Sequence, residues 1–405
     1  MGLNSSKIVL ITSGQPALNP RLVKEADLLA EAGYEVIVIY QHWNDWATEV
    51  EKTLLPQKQW EAIQVGGSPK NQAILYWYTR IRFKIARLLY KYFKLLPDEA
   101  IARSTTLLLS HAKKHVADLY IAHNLGALSA AVKAAQAHHA KCGFDAEDFH
   151  RYENADNQNH PIVKLNTLIE NTYIPQIDYL TASSPLTSAA YSQIFNRGCP
   201  VILNVLPKTK NKQFFSNNAI LRIFWFSQTI GDNRGIETII EALNISDNKF
   251  ELHLLGSVDL QYAETLKNQL AINKSQIHFH SPITPEKLPA FASQFDIGIA
   301  SETGFSKNNK YALSNKIFTY IQTGLVTIAS DTPAQKELLT KYPNIGSLYR
   351  IGNASQLAAV LDQYQNDRNL LLVQKTAAFD LGQSALNWEV EGKKLLALIR
   401  STFEV

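Results

Sequence analysis

The residues best placed for chemistry stand beside helix starts and strand ends. Lys316 follows Ser314, a residue type that can cap a helix by accepting from a free amide of the first turn. The helix it opens would stop at Gly324, which suits the left-handed position after a last turn. Leu325 to Ala329 is an apolar run of strand length, and Thr332-Pro333 then reads as a cap with proline at the first helical position. Helix N-termini gather free amides and partial positive charge, so this segment suits an anion such as a diphosphate, and Lys316 would sit beside it. His123 directly follows an apolar run, where an imidazole could accept or donate a proton near neutral pH. Glu147 and Asp148 form an adjacent carboxylate pair of the kind used in acid–base work or left in an exposed turn. Gly14 and Gly256 each follow an apolar run, where glycine lets a ligand come close to the backbone.

These residues need elements to hold them. Lys7 to Thr12 is a buried-type strand, Asn19-Pro20 opens a helix that Gly33 ends, and Glu35 to Tyr40 is the next strand. A right-handed crossover of this length implies a parallel sheet. Asp118–Ala122, Asp178–Ala182 and Val201–Leu206 continue the strands, with an alanine-rich helix from 127 to 140 and another opened by Ser184-Pro185. The polar stretch from 208 to 218 lacks periodicity and reads as a linker. A second series follows: Ile220–Phe226, Phe250–Leu255, Gln276–Phe279, Phe295–Ile299 and Leu325–Ala329. The expected architecture is α/β, with two Rossmann-like domains of doubly wound parallel sheet facing a cleft. The domains span 1–207 and 219–385, and a helix at 386–405 packs back towards the first.

The 405 residues suit two or three cores, and the formal charge of +4 is too mild for a nucleic-acid binder. Two distant cysteines, Cys142 and Cys199, point to a reducing compartment and a cytoplasmic protein. Met1-Gly2 with Ser5 and Ser6 only brushes the myristoylation pattern, and no apolar run is long enough to span a membrane. Between Trp77 and Leu95, six cations interleave with aromatic and aliphatic residues and no acidic residue intervenes. That composition suits an anionic membrane surface; a helix packing on the sheet is the other reading.

Taken in order, Asn19–Asp27 with Gly33, Ala122–Leu128, Phe226–Gly235, Phe295–Gly298 and Ser314–Pro333 resemble the retaining glycosyltransferases of the GT-B fold, in the family 4-like group. The resemblance covers nearly the whole chain. It implies transfer of a hexose or related sugar from a nucleotide-diphosphate sugar to a glycan or lipid-linked acceptor. The donor would bind the second domain and the acceptor the first, with no metal and no resident cofactor. Arg234 takes the place of the family's diphosphate-binding cation, and Gln228 stands where a second arginine is usual. Lys316 would compensate. Glu302, in Ser301-Glu-Thr-Gly-Phe305, resembles the family's first signature glutamate and would lie near the donor sugar, though displaced by the extra residues 306–310. The motif's regular positions hold Tyr311 and Thr319, so the usual carboxylate grip on the ribose is lost at Thr319. Asn315 is shared with one branch of the family, Gly256 would face the nucleotide, His123 the reactive centre, and the loop from Gly14 the ligands. The losses at Gln228, Tyr311 and Thr319 motivate a non-catalytic binding relative as one alternative, and a nucleotide-sugar epimerase of the same fold is another.

Overall fold

A computed structural model describes residues 6–209, 219–271 and 275–404. The first five residues, with most of the myristoylation-like start, and the linker segment beyond 209 lie outside them. The chain forms two compact units. The first runs to Ile202 and includes Ser306–Asn308 and the chain from Gly392; the second holds Leu203–Phe305 and Asn309–Glu391.

The first unit carries six parallel strands: β1 (Lys7–Thr12), β2 (Glu35–Gln41), β3 (Glu61–Val65), β4 (Leu119–His123), β5 (Lys141–Ala146) and β6 (Tyr179–Ala182), in the order β3-β2-β1-β4-β5-β6. Helices alternate with them, which is why Ile8 to Ile11 and Leu119 to Ala122 are apolar without a break: both faces of these central strands are covered. The chain reverses direction across the sheet between β1 and β4. Both strands therefore present their carboxyl ends to the crevice where this topology binds ligands. Asn19 caps the helix Pro20–Glu31 through its side chain, accepting from the amide of Leu22, and Ser184 does the same for Thr187 at the helix Pro185–Phe195.

The second unit repeats the plan with β7 (Leu221–Ile230), β8 (Phe250–Val258), β9 (Gln276–His280), β10 (Ile297–Ala300), β11 (Val326–Ser330) and β12 (Gly346–Tyr349), ordered β12-β11-β10-β7-β8-β9. Alternate residues of β7 feed opposite cores. Ile223 and Trp225 join the cluster with Ile239, Leu357 and Tyr364, while Phe224 joins that of Phe318 and Tyr320 and stacks on Phe295 at 4.7 Å. The switch point here falls between β7 and β10. Gly298 is needed at it because the Tyr320 ring lies where a Cβ would be, with its hydroxyl donating to the carbonyl of Ile299 at 3.0 Å.

Three expectations need correction. Val201–Leu206 is no strand; among the described residues an isolated bridge alone joins Val201 to Ala182. β3 and β12 are short edge strands that the pattern did not mark, since edges mix polar and apolar residues. Ser314 and Thr332 do not cap through their side chains. The hydroxyl of Ser314 is turned to Glu302 instead.

Candidate functional site

In the second unit, three backbone turns meet at the carboxyl ends of β7 and β10. The first is Asn233-Arg234-Gly235, with Asn233 and Gly235 both at positive φ, opening the helix Ile236–Ile245. The second is Ser301-Glu302 directly after β10. The third is the start of the helix Asn315–Thr323. Ser301 ties the first two together: its hydroxyl donates to the carbonyl of Arg234 at 2.7 Å and accepts from the indole of Trp225 at 3.0 Å. Gly235 is required because a side chain there would drive into the carbonyl of Ser301. Arg234 is exposed and steadied by one hydrogen bond, donated to the Ser227 hydroxyl at 2.9 Å. Gly256, at positive φ, closes against the carbonyl of Ser227, so the end of β8 packs onto the same turn.

Glu302 and Lys316 meet at 2.8 Å with their side chains 21% and 13% exposed. The carboxylate also accepts from Ser314 at 2.9 Å and from Asn309 at 3.1 Å. Burial alone would raise the pKa of Glu302. The Lys316 charge and these three hydrogen bonds outweigh it and hold the carboxyl down at about 2. The backbone is pinned too, since Ser330 donates to the carbonyl of Glu302 at 2.6 Å. The Lys316 ammonium also lies 5.3 Å from the Trp225 ring centre, a cation–π distance. Arg234, Glu302 and Lys316 are thus brought to one sheet end, with the extra residues after Phe305 supplying Asn309 as a carboxylate partner.

The remaining donor-side candidates are placed differently. Gln228 is exposed beside the irregularity in the β7–β8 register between Phe226 and Thr229. Asn315 is exposed and its side-chain Oδ1 accepts from the Asn204 side-chain amide at 3.0 Å. Thr319 is buried, and its hydroxyl donates back to the carbonyl of Asn315 at 3.3 Å within its own helix.

In the first unit, His123 ends β4 with no exposed surface. Its Nδ1 lies 3.0 Å from Glu147 and 3.6 Å from Asp145, and its Nε2 lies 3.1 Å from Glu25. Burial favours the neutral ring, but the carboxylates prevail and raise its pKa to about 10. The carboxylates favour the charged ring, and its Nδ1 faces Glu147. Arg21 completes the network with two bonds to Asp145, at 2.5 and 2.7 Å, and one to the carbonyl of Ile202. Glu25, His123 and Asp145 are close enough to suggest a metal site, yet Arg21 and His123 already supply the countercharge. Glu147 is the partly exposed end of this buried network, held from behind by His123 and by Asn19 at 2.5 Å. Asp148 is engaged by the Asn308 amide at 2.9 Å, and burial foremost raises its pKa. The Gly14 amide donates to the Thr12 hydroxyl, and its carbonyl accepts from the Gln41 amide.

Ser13 and Asn124 lie in the loops 13–20 and 123–126, which the rule that ligands sit outside the carboxyl ends of such strands selects, but the sequence assigns them no role of their own. The Ser13 hydroxyl donates to Asn124 at 2.6 Å, and Asn124, at positive φ, donates to Thr12 at 2.8 Å, joining the ends of β1 and β4. Ser227, Ser301 and Asn309 lie in the strand-end loops 227–235 and 301–310 that the same rule selects, again with no individual role.

No protein-family model matches the sequence, and no curated protein matches it significantly. Solved structures do match in three dimensions over nearly the full length of both chains. HepE from Anabaena, solved with UDP and glucose, superposes with a TM-score of 0.71 at 15% identity, covering 98% of this chain and 100% of that one. Sucrose-phosphate synthase from Thermosynechococcus elongatus gives 0.73 at 14% identity, covering 99% and 100%. WaaG, a glycosyltransferase of lipopolysaccharide biosynthesis, gives 0.63 at 12%, covering 96% and 98%. The fold is therefore that of the GT-B glycosyltransferases.

Proposed function

We propose that the protein is a retaining glycosyltransferase of the family 4-like kind, taking a hexose or related sugar from a nucleotide-diphosphate sugar to a glycan or lipid-linked acceptor. The observation that carries this reading is that the Arg234 turn, tied to Ser301, and the Lys316–Glu302 pair stand together at the carboxyl ends of β7 and β10, beside two helix starts. That HepE has been solved with UDP-glucose supports a donor of the same class. Arg234 and Lys316 hold the diphosphate beside the amide ends of their helices, so the charge that develops on the leaving group meets fixed cations. These cations do the work without a metal ion. Glu302, kept ionised, accepts from hydroxyls of the donor sugar. Gln228 and Asn315, both exposed, are left to the nucleotide side, and Gly256 leaves room for the nucleotide.

In the transfer step, the bond from the anomeric carbon to the diphosphate oxygen breaks. The acceptor oxygen bonds that carbon on the same face, and its proton passes to the leaving phosphate oxygen. No enzyme base is needed. Glu147, oriented by His123, and the loop at Gly14 belong to the acceptor side. We assign the protein to the cytoplasm, in keeping with two buried free thiols.

Calorimetry with nucleoside diphosphates and their sugars, followed by a turnover assay, tests the reading. Arg234→Ala should weaken diphosphate binding and cut turnover by tenfold or more, on the order of a lost transition-state contact, with the fold intact because Arg234 is exposed. Unchanged kinetics would remove the phosphate assignment. A binding protein without turnover is the second reading. It is favoured by the burial of Thr319, whose hydroxyl is used within its own helix. Binding with neither transfer nor donor hydrolysis would establish it.

A further inference from the structure

The helix Ala73–Phe93 packs on the first unit through Tyr76, Thr79, Ala86 and Tyr90, which are its buried residues. The opposite face would ordinarily be polar. Here it is apolar. Ile74, Trp77, Tyr78, Ile81, Ile85 and Leu88 recur at three- and four-residue spacing on that outward face, each between 50% and 89% exposed. Tyr92 continues the stripe, and Phe93, Leu95 and Leu96 extend it beyond the last turn. The face is continuous, since the helix is unbroken for 21 residues.

Its flanks are cationic. Arg80, Lys84, Arg87 and Lys91 fall along one side of the stripe, and from Ala73 to Pro97 the sequence holds no aspartate or glutamate. Arg82, on the other side, reaches Glu99 at 3.6 Å. Most of the other cations lie over aromatic rings of the same helix: Arg80 over Trp77 at 5.7 Å, Arg87 over Phe83 at 5.0 Å and Lys91 over Tyr92 at 5.1 Å. Long cationic side chains of this kind cover apolar surface with their stems and carry the charge outward. A second apolar element stands near the start of the helix. His42 packs edge-on against Tyr76, and its neighbour Trp43 is exposed, as is Trp46.

We propose that this helix, with Trp43 and Trp46 at its N-terminal end, lies in the interface of an anionic lipid bilayer. The apolar stripe enters the headgroup boundary, and the cations engage lipid phosphates on its flank. Tryptophan and tyrosine suit that depth because each pairs an apolar body with a polar tip. A second copy of the chain offers this surface no charge complement, since the same stretch from Ala73 to Pro97 carries cations and no acidic residue. No described helix is long and apolar enough to cross a membrane, so the contact is one of lying on the surface. This inference goes beyond the transfer reaction and does not depend on it.

Vesicle cosedimentation of the full chain tests the surface without any donor. Vesicles of phosphatidylcholine with about one phosphatidylglycerol in three should bind at least about tenfold more strongly than phosphatidylcholine alone, and added salt should weaken the binding. Tryptophan emission should shift to the blue on binding. Ile81→Asp with Ile85→Asp should lower partition about tenfold or more, and Arg87→Glu with Lys91→Glu should lower it on anionic vesicles only. Because all four residues are surface-facing, the unfolding midpoints should stay with the parent, which separates lost docking from lost folding. The proposal is overturned by absent binding to anionic vesicles, or by equal binding of both double variants and the parent. It is likewise overturned if the chain self-associates through this face, lost in the isoleucine variant, without vesicle affinity.

Discussion

Replacing Lys316 with methionine keeps the length of the side chain and removes its charge, leaving the Glu302 carboxylate half-buried with only Ser314 and Asn309 as partners. In the intact protein Glu302 titrates at about 2 against an ordinary 4.5. At roughly 1.4 kcal/mol per pH unit that fall corresponds to about 3 kcal/mol of stabilisation of the charged form in the folded state. The two neutral donors remain in the variant, so the expected loss of stability at neutral pH is about 2 kcal/mol, at the lower end for breaking a partly buried pair. The folded-state pKa is depressed, so the contribution is fully present above pH 4.5 and fades as pH falls towards 2. Urea unfolding of the parent, Lys316→Met, Glu302→Gln and the double variant, at neutral pH and again near pH 3, measures it. The double variant should recover to within about 1 kcal/mol of the parent, because no uncompensated charge is left. A Lys316→Met loss below about 0.5 kcal/mol, or one of equal size near pH 3, would refute the assignment of the pair.

Three further outcomes are expected. Gly235→Ala forces a side chain against the carbonyl of Ser301 at positive φ, so it should cost about 2 kcal/mol of stability and weaken nucleoside diphosphate binding; an unaltered calorimetric affinity counts against the turn. His123 is charged in the folded state up to about pH 10, so its contribution to stability is complete below 6.5 and declines as pH rises through 10; in His123→Asn the decline with alkaline pH should be shallower by up to about 1.4 kcal/mol per pH unit, as followed by thermal melting. His253 is held neutral down to about pH 3 by burial and by the neighbouring His278 and His280, so acid should destabilise the fold from pH 6.5 downward, and His253→Phe should blunt that slope.

Much of the fold was legible because buried parallel strands cannot alternate. Ile8–Ile11 and Leu119–Ala122 are unbroken apolar runs for the same reason that helices cover both their faces. The strand–helix order then admits only a small set of sheet topologies. Asn19, Ser184 and Gly324 marked helix ends correctly, since caps are local chemistry. Ser314 misled for an equally physical reason: a hydroxyl offered both a backbone amide and a carboxylate takes the stronger, charged partner. The edge strands β3 and β12 escaped because their mixed residues carry no signal until a neighbour pairs with them.

The sequence by itself determined that Arg234, Lys316 and Glu302 stand at element boundaries, since glycines, caps and strand lengths are readable one segment at a time. That Glu302 pairs with Lys316, and that Ser301 ties the Arg234 turn to β10, follows from the folded packing alone. The same is true of His123, whose proton affinity is raised by Glu25, Asp145 and Glu147 packed around it. The reason is that charge and proton affinity belong to neighbourhoods, and these neighbours arrive from distant parts of the chain.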